Sequence, residues 1–445
     1  MIRRWGPCLA VGAILVTVLT ACSLVRTPGA PAPEAPSPAP ASATPPVVTT
    51  PTDLPFPTAA EPPTSTPAFP TPASAPISHL PSGTDLRLEW IEMATLKEGW
   101  AVGGVAGREL HFLRTTDGGL HWKDITPPDT DELAEGARRG ATAASRDAQH
   151  AWILYSGVMD LQRGPIAVVV WRTADGGQSW QPSRVIEAPG GSGWFEPLAL
   201  GFLDDGFGWL MAAIDAGMNH QYIAVYTTTD DGASWVRVVD PYGQQPVHSC
   251  PKTGLVFIDH QTGWMTRDCA GLMDQVTVII TTDGGVTWTE TSLPAIPSLP
   301  GGFTYANLCT PHGIRLDSPS AGSLLVSCRQ YLETPTAAGD FVHDGPHALY
   351  RTADGGATWS IAEIPAGSLY WLDPQRGWSL GRTIFWTEDG GASWMQRHQV
   401  SWDGQFSFVD AMNGWAVATN EDETALVQTT SGGTKWSILK PVIGP

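Results

Sequence analysis

The amino-acid sequence predicts an all-β protein, a seven-bladed β-propeller of four-stranded antiparallel blades that follows a disordered, proline-rich stalk. The first observation is an eight-residue motif, Ser/Thr-x-Asp-x-Gly-x-x-Trp, which recurs seven times from TTDGGLHW to TTSGGTKW. The second is a Gly-Trp or Ala-Trp pair upstream of most copies. The third is composition: 20 Trp, 48 Gly and 39 Pro with only 16% charged residues favour a β-rich chain with many turns.

Residues 1–21 have the pattern of a bacterial lipoprotein signal peptide. Positive charge at Arg3 and Arg4 precedes an apolar run, Leu9–Leu19, that is shorter than a membrane-spanning helix requires. The following Leu-Thr-Ala-Cys resembles the lipobox, which implies that Cys22 is lipidated and becomes the mature N-terminus. The alternative is an ordinary secretory signal with an incidental cysteine. The expected location is therefore extracytoplasmic, with the protein lipid-anchored to the bacterial cell membrane or envelope.

Residues 22–84 form a linker rich in Pro, Ala, Thr and Ser, as in PAPEAPSPAPASATPP. Such a composition has too little apolar content to fold and favours an extended polyproline II conformation. We interpret this segment as a disordered stalk. Its composition does not establish whether it carries O-linked sugar.

Residues 85–440 contain the repeats that predict the propeller. Each unit consists of strand A, a short turn, strand B opening at the marker tryptophan, a connection, strand C, the eight-residue motif as a hairpin turn, and strand D. The marker tryptophans are Trp100, Trp152, Trp209, Trp264, Trp378 and Trp415, and the fifth unit has Gly322-Ser323 instead. Units of this kind bury their faces by stacking around an axis. Because strand A of the first unit starts near Leu88 and strand D of the last ends near Leu439, we expect no strand exchange, and ring closure by packing of blade 1 against blade 7.

The eight-residue motif itself is predicted to be a structural turn. Its carboxylate can accept hydrogen bonds from backbone amides, and a glycine such as Gly177 can adopt a positive φ angle without steric cost. Seven equivalent positions around a ring cannot all be catalytic, and no motif has the alternating carboxylates of a calcium loop. No metal, cofactor or catalytic residue is predicted. The turn positions are Asp117, Asp175, Asp230, Asp283, Asp354, Asp389 and Ser431.

The motif resembles the Asp-box, or BNR repeat, of sialidases and of the sortilin propeller, where it is a structural turn. Together with the Gly-Trp marker, residues 85–440 resemble the photosystem II assembly and stability factor family of lipid-anchored or luminal seven-bladed propellers. The resemblance implies a protein that is not an enzyme and that binds a membrane-protein precursor, partly through an arginine-rich patch. The globular part has one adjacent arginine pair, Arg138-Arg139, and the net charge of −19 argues against nucleic acid as a partner.

The four cysteines of the globular part predict two disulfides. Cys250 and Cys269 are 19 residues apart, as are Cys309 and Cys328, and each pair occupies matching positions in units four and five. Four cysteines allow three connectivities, and repeat symmetry favours 250 with 269 and 309 with 328. A zinc site is the alternative.

The long connections B–C and D–A fall on one face of the ring, the insertion face, and variable loops on a rigid scaffold commonly bind ligands. They carry aromatic and polar residues that suit a protein partner or a glycan. These candidates are Trp194, Glu196, Asp215, His220, Tyr242, His248, Tyr305, Tyr331, His343, Asp344 and Trp402.

The predicted function is a protein-binding or assembly scaffold at the cell envelope, with a membrane or envelope protein as partner. One alternative is a carbohydrate-binding module. The other is a sialidase-like glycosidase, in which two carboxylates such as Glu196 and Asp344 converge, although the Phe/Tyr-Arg-Ile-Pro motif of sialidases is missing.

Overall fold

The computed structural model describes residues 79–106, 110–128, 140–158, 167–189, 194–217, 220–243, 246–270, 272–273, 275–299, 301–303, 307–331, 342–421 and 423–445. The predicted signal peptide, Cys22 and nearly all of the predicted stalk lie outside these residues. No helix in the described part of the chain is long and apolar enough to cross a membrane.

Seven antiparallel sheets of four core strands confirm the predicted propeller. In chain order the first half contains β1 Arg87–Met93, β2 Gly99–Gly104, β3 His111–Thr115, β4 His121–Asp124, β5 Ala141–Ser145, β6 Ala151–Tyr155, β7 Gly157–Val158, β8 Ala167–Val168, β9 Trp171–Thr173, β10 Gln181–Pro182, β11 Ile186–Glu187, β12 Trp194–Phe202, β13 Gly208–Gly217, β14 His220–Thr228 and β15 Val236–Val239. A short 3-10 helix follows at Pro246–His248.

The second half contains β16 Lys252–Phe257, β17 Gly263–Arg267, β18 Thr277–Thr281, β19 Thr289–Ser292, β20 Asn307–Leu316, β21 Gly322–Tyr331, β22 Val342–Thr352, β23 Ser360–Ile364, β24 Ser368–Trp371, β25 Gly377–Leu380, β26 Thr383–Thr387, β27 Met395–Gln399, β28 Asp403–Phe408, β29 Gly414–Asn420, β30 Glu423–Thr429, β31 Ser437–Leu439 and β32 Val442–Ile443. Blade 1 is β1–β4, blade 2 is β5, β6, β9 and β10, and blades 3 to 7 are β12–β15, β16–β19, β20–β23, β24–β27 and β28–β31.

The glycine and the tryptophan of the upstream marker pair have distinct physical roles. The marker glycine lies under the last large side chain of strand A; a Cβ at Gly414 would come within 2.4 Å of the Phe408 ring, and one at Gly263 within 2.7 Å of Phe257. The marker tryptophans are buried, and five of the six donate their indole N–H to a carbonyl of the next blade, whereas that of Trp264 has no partner among the described residues. These bonds join Trp100 to Asp147, Trp152 to Asp231, Trp209 to Leu255, Trp378 to Gly432 and Trp415 to Gly118, at 2.8 to 3.3 Å.

The ring is closed by more than blade packing, so the prediction that no strand crosses between the termini is wrong. The C-terminal strand β32 pairs in parallel with β4, the outer strand of blade 1. The segment before β1 lies on its other side: Gly83 N–H donates to Ile443 O at 2.8 Å, and Ile443 N–H donates to Thr84 O at 2.9 Å. We call residues 441–444 the clasp. The sequence pattern missed it because β32 has two residues and no periodicity.

Both predicted disulfides are present, Cys250–Cys269 and Cys309–Cys328. Cys309 and Cys328 are direct partners in the β20–β21 register, and Cys250 and Cys269 flank the paired residues Lys252 and Arg267. Each bridge therefore ties the entry of strand A to the exit of strand B, as the repeat symmetry indicated.

Blades 3 and 5 have much longer strands than their neighbours. β13 and β21 have ten residues each, whereas β17 and β25 have five and four. Five extra residues add roughly 17 Å at about 3.4 Å per residue. The extra length lies at the insertion face, so several candidates predicted in loops, including Asp215 and Asp344, are in strands.

The eight-residue motifs form tight hairpin turns held by their own side chains. In the fifth, Asp354 accepts hydrogen bonds from the Thr352 hydroxyl at 2.7 Å, the Thr358 amide at 2.9 Å and the Thr358 hydroxyl at 2.6 Å. Gly355 and Gly356 have φ angles of 71° and 92°. In the seventh turn the Ser431 hydroxyl accepts the Lys435 amide at 3.0 Å. A serine therefore makes the same backbone contact without the charge.

The turn carboxylates make an acid-dependent contribution to stability. The Thr358 hydroxyl and amide lower the pKa of Asp354 to about 2, and the Ser179 hydroxyl and amide do the same for Asp175. A folded-state pKa below the unfolded value stabilises the fold above about pH 4, and this contribution is lost as pH falls towards 2. We expect Asp354→Ser to be less stable than the wild type at pH 7, with the difference shrinking as pH falls. Urea unfolding at pH 7, 4 and 2.5 measures this, and a gap that does not depend on pH would contradict it.

Candidate functional site

Four of the predicted candidates lie together on the insertion face. Asp215 and His220 are at the tip of the β13–β14 hairpin, and Tyr242 and His248 are in the connection from blade 3 to blade 4. Tyr222 joins them: its ring centroid is 6.1 Å from that of His220, 5.9 Å from that of Tyr242 and 6.4 Å from that of His248. We call Asp215, His220, Tyr222, Asp240, Tyr242 and His248 the Tyr222 cluster.

Local backbone features position this cluster. A register shift between Ala213 and Asp215 is an irregularity of the β13–β14 ladder, after which Asp215 pairs with Tyr222. Such a bulge re-aims the side chains beyond it. Asp240 begins the following turn and accepts the Tyr242 amide at 3.0 Å. A β-bridge between His220 and Ser249 then ties the connection to the hairpin.

The aromatic rings of the cluster range from exposed to buried. Tyr242 is 51% exposed, whereas His248 is 6% exposed. Burial, and then the carboxylates of Asp215 and Asp240, raise the pKa of Tyr242. Burial and then the Lys252 ammonium lower the pKa of His248. The cluster therefore offers an exposed ring with two carboxylates near it.

A basic pair, the half-buried Lys252 and the buried Arg267, supports the cluster from blade 4. Lys252 Nζ donates to the carbonyls of Ser249 at 3.0 Å and Cys250 at 2.5 Å. Arg267 is its cross-strand partner and donates to Glu290 and Ser249. Burial, together with the Arg267 guanidinium, lowers the pKa of Lys252 to about 7. These side chains hold the Ser249–Lys252 segment beneath the rings.

The other candidates lie elsewhere. Trp194 and Glu196 begin β12 of blade 3, and Tyr331 and Asp344 are at the far end of blade 5. Glu196 and Asp344 are thus on blades separated by blade 4. Trp402 packs on Trp436 at 5.5 Å, between blades 6 and 7. His343 lies in β22, and Tyr305 is outside the described residues.

Sequence reasoning missed Tyr222, Asp240 and Lys252. Tyr222 lies two residues after His220, a spacing that puts two strand side chains on one face. Asp240 opens Asp-Pro-Tyr-Gly, a turn signal that predicts a backbone-bonded carboxylate. Lys252 carries no such signal, because its environment depends on the fold.

Other polar features of the ring have structural partners. A cavity of about 670 Å³ at the outer edge of blade 1 is lined by residues that include Asp124, Lys123 and Ile443. Asp124 is 2.8 Å from His111 and accepts the Thr126 hydroxyl at 2.6 Å. In the described part of the chain, no group of three or more His, Cys, Asp or Glu residues could hold a metal ion.

No protein-family profile matches the chain. A xyloglucanase of Paenibacillus sp. is 27% identical over 268 residues, which are 56% of this chain and 23% of that enzyme. The chain thus spans about a quarter of the length of this curated relative.

Among solved structures, a puromycin-hydrolysing peptidase of Mycobacterium tuberculosis has a TM-score of 0.51 at 14% identity, covering 83% of this chain and 56% of its own. The GH74 enzyme of Niastella koreensis has a TM-score of 0.33 at 16% identity, covering 80% of this chain and 62% of its own. At these identities the peptidase supports the fold alone, and the GH74 score is too low to support an argument.

The xyloglucanase similarity overturns two predictions: that the chain is a protein-binding or assembly scaffold, and that it is not an enzyme. The first rested on the resemblance to photosystem II assembly factors, and the second also on the missing sialidase motif. A structural role for the seven turns says nothing against catalysis, because the insertions can supply catalytic groups independently of the turns.

Proposed function

We propose that this chain is a glycosidase that binds and cleaves a polysaccharide at the Tyr222 cluster. The observation that carries the proposal is an exposed Tyr242 ring beside Tyr222, the strand partner of Asp215, with the Asp240 carboxylate bonded to the Tyr242 amide. The similarity to a xyloglucanase supports this choice of reaction class. Because the chain covers about a quarter of that relative, its own activity and substrate are part of the proposal.

The cluster supplies the two functions that glycoside hydrolysis needs. An aromatic face stacks on the apolar face of a sugar ring, which suits the exposed Tyr242. Of two carboxyl groups, one protonates the leaving glycosidic oxygen and the other activates water or attacks the sugar carbon. In this proposal Asp215 and Asp240 share these roles, and Tyr222 holds the Tyr242 and His248 rings around the bound chain.

We also propose that the seven turns are Asp-boxes and that Cys22 carries a lipid. The glycosidase would then be displayed outside the cell on a proline-rich stalk. Polysaccharides are extracellular polymers, and an anchored enzyme keeps its products near the cell. Intact mass of the mature protein tests the lipid directly.

The glycosidase proposal is tested by reducing-end release from xyloglucan and from a panel of β-glucans, mannans and arabinans. We expect Asp215→Asn and Asp240→Asn each to lower kcat/KM by 100-fold or more, the usual effect of losing a general acid or base. Tyr242→Ala should chiefly raise KM. The matched control is Asp403→Asn, an exposed aspartate at the start of β28 in blade 7.

Each result bears on the proposal. Activity that survives in both aspartate variants would move catalysis away from the Tyr222 cluster. Saturable glycan binding without any released reducing ends would replace the glycosidase with a carbohydrate-binding module. Loss of activity in Asp403→Asn would show that the loss in the other variants is not specific to the cluster.

A further inference from the structure

Blade 5 has a serine hydroxyl between two imidazoles, on three adjacent strands. Ser327 Oγ in β21 is 2.8 Å from His312 Nε2 in β20 and 2.9 Å from His347 Nδ1 in β22. All three side chains are half-buried, so solvent reaches them. Asp344, exposed and three residues before His347, is the charged group that acts on this imidazole.

The three side chains are on the face of blade 5 that looks towards blade 6. Leu325 precedes Ser327 by two residues, and Leu349 follows His347 by two, so each pair shares a strand face. Leu325 and Leu349 pack against Leu369 and Trp371 of blade 6. Ser327 and His347 are register partners and therefore lie two strand residues nearer to the insertion face than this apolar layer, whereas His312, the register partner of Leu325, lies level with it.

The strands of blade 6 do not extend far enough to cover the level of Ser327 and His347. Its strands β24 and β25 have four residues each, against ten in β20 and β21. The connection from β23 to β24 is the three residues between Ile364 and Ser368, and β25 joins β26 through Gly381 and Arg382. A small acyl group can therefore approach Ser327 from above blade 6.

One hydroxyl proton cannot serve both imidazoles, so the two rings have different roles. If the Ser327 O–H donates to His347 Nδ1, then His312 Nε2 carries a proton and donates to Ser327 Oγ. Burial lowers the pKa of both imidazoles, which are neutral at pH 7, and the Asp344 carboxylate acts in the opposite direction on His347. The Asp344 carboxylate favours the protonated form of His347, which suits this imidazole to act as the base and leaves His312 as the hydrogen-bond donor.

We propose that Ser327 is the nucleophile of a second active site, which hydrolyses oxygen esters of short acyl groups. His347 acts as its base and His312 as the donor to the carbonyl oxygen. A serine is activated by a base that lies within hydrogen-bond reach of its hydroxyl, as His347 does here. On a polysaccharide the ester would be an O-acyl sugar, and that last step alone rests on the proposed glycosidase function.

The reaction balances with these groups and water. Ser327 Oγ attacks the acyl carbon while its proton moves to His347 Nδ1. The His312 N–H, which donates to Ser327 Oγ before the ester binds, shifts to the carbonyl oxygen and stabilises its negative charge. The ester C–O bond breaks and the alcohol leaves with the proton from His347. Water then attacks the acyl-serine, gives its proton to His347, and Ser327 Oγ leaves with that proton.

The test uses the full chain with 4-nitrophenyl acetate and a fluorophosphonate, neither of which needs a glycan. We expect ester hydrolysis above the buffer rate, and one equivalent of fluorophosphonate on Ser327 by peptide mass spectrometry. Ser327→Ala and His347→Ala should each reduce hydrolysis at least 100-fold. His312→Gln, which keeps an N–H donor, should retain more activity than His312→Ala. Ser323→Ala, on the same strand, is the control for folding.

The outcomes separate this proposal from the first one. Hydrolysis that is unchanged in Ser327→Ala, or a label on another residue, would overturn it. So would a folded wild type that shows neither hydrolysis nor labelling. Asp215→Asn and Asp240→Asn should leave ester hydrolysis intact, so failure of the glycosidase proposal does not affect this result.

Discussion

Deletion of residues 441–445 should lower the free energy of unfolding of the propeller by about 5 kcal/mol. The clasp makes backbone hydrogen bonds to Gly83, Thr84, Leu86, Leu120 and Trp122, each worth about 0.5 kcal/mol net, the lower end of the usual range. The buried Ile443 side chain adds about 2 to 3 kcal/mol. At roughly 2 °C per kcal/mol for a domain of this size, the melting temperature should fall by about 10 °C.

A milder variant separates the contribution of the clasp's backbone pairing from that of the Ile443 side chain. Ile443→Ala keeps the backbone pairing with β4 and removes only the side chain, so it should cost about 2 to 3 kcal/mol. Calorimetry of both proteins gives the comparison. If the deletion costs no more than Ile443→Ala, the backbone pairing does not contribute to closure and blade packing alone holds the ring.

Gly414→Ala should strongly destabilise blade 7. The new Cβ would lie 2.4 and 2.5 Å from two atoms of the Phe408 ring. Phe408 cannot retreat, because it is stacked on Trp378 at 3.9 Å and meets the edge of Trp436 at 6.1 Å. Overpacking of this kind typically costs 1 to 3 kcal/mol and occasionally more. We expect about 3 kcal/mol, measured by urea unfolding.

Gly217 provides the matched control, because it is also in a strand and a Cβ there meets nothing within 4 Å. Gly217→Ala should stay within about 0.5 kcal/mol of the wild type. Adding Phe408→Leu to Gly414→Ala should recover part of the loss, since the clash is between these two residues. Equal stabilities for the Gly414 and Gly217 variants would show that the Phe408 contact does not explain the marker glycine.

The repeat pattern predicted the ring because its signals are local. A turn such as Thr173–Trp180 specifies its own hydrogen bonds, and a marker glycine is required by a residue only six positions earlier, as Gly414 is by Phe408. The disulfides followed from the same regularity. The clasp could not be predicted in this way, because Val442 pairs with β4, about 320 residues away, through backbone atoms, and this pairing leaves no pattern in the side chains.

The candidate site was predictable only in part, for a related reason. Asp215, His220, Tyr242 and His248 could be singled out as polar and aromatic residues in insertions. Their convergence on Tyr222 depends on a register shift and on the path of the connection to blade 4, neither of which has a residue signature. The scaffold function and the absence of enzyme activity were predicted wrongly, because the repeats determine the fold and carry no signal of the chemistry.

The unequal heights of the blades also bear on how this protein can change. The long strands of the β13–β14 and β21–β22 hairpins extend beyond the layers in which the marker tryptophans join one blade to the next. Residues there can be exchanged, lengthened or shortened with little effect on ring closure. Selection can therefore alter what the protein acts on while the stability of the ring stays nearly constant. The same two hairpins are the natural positions for grafting in protein engineering.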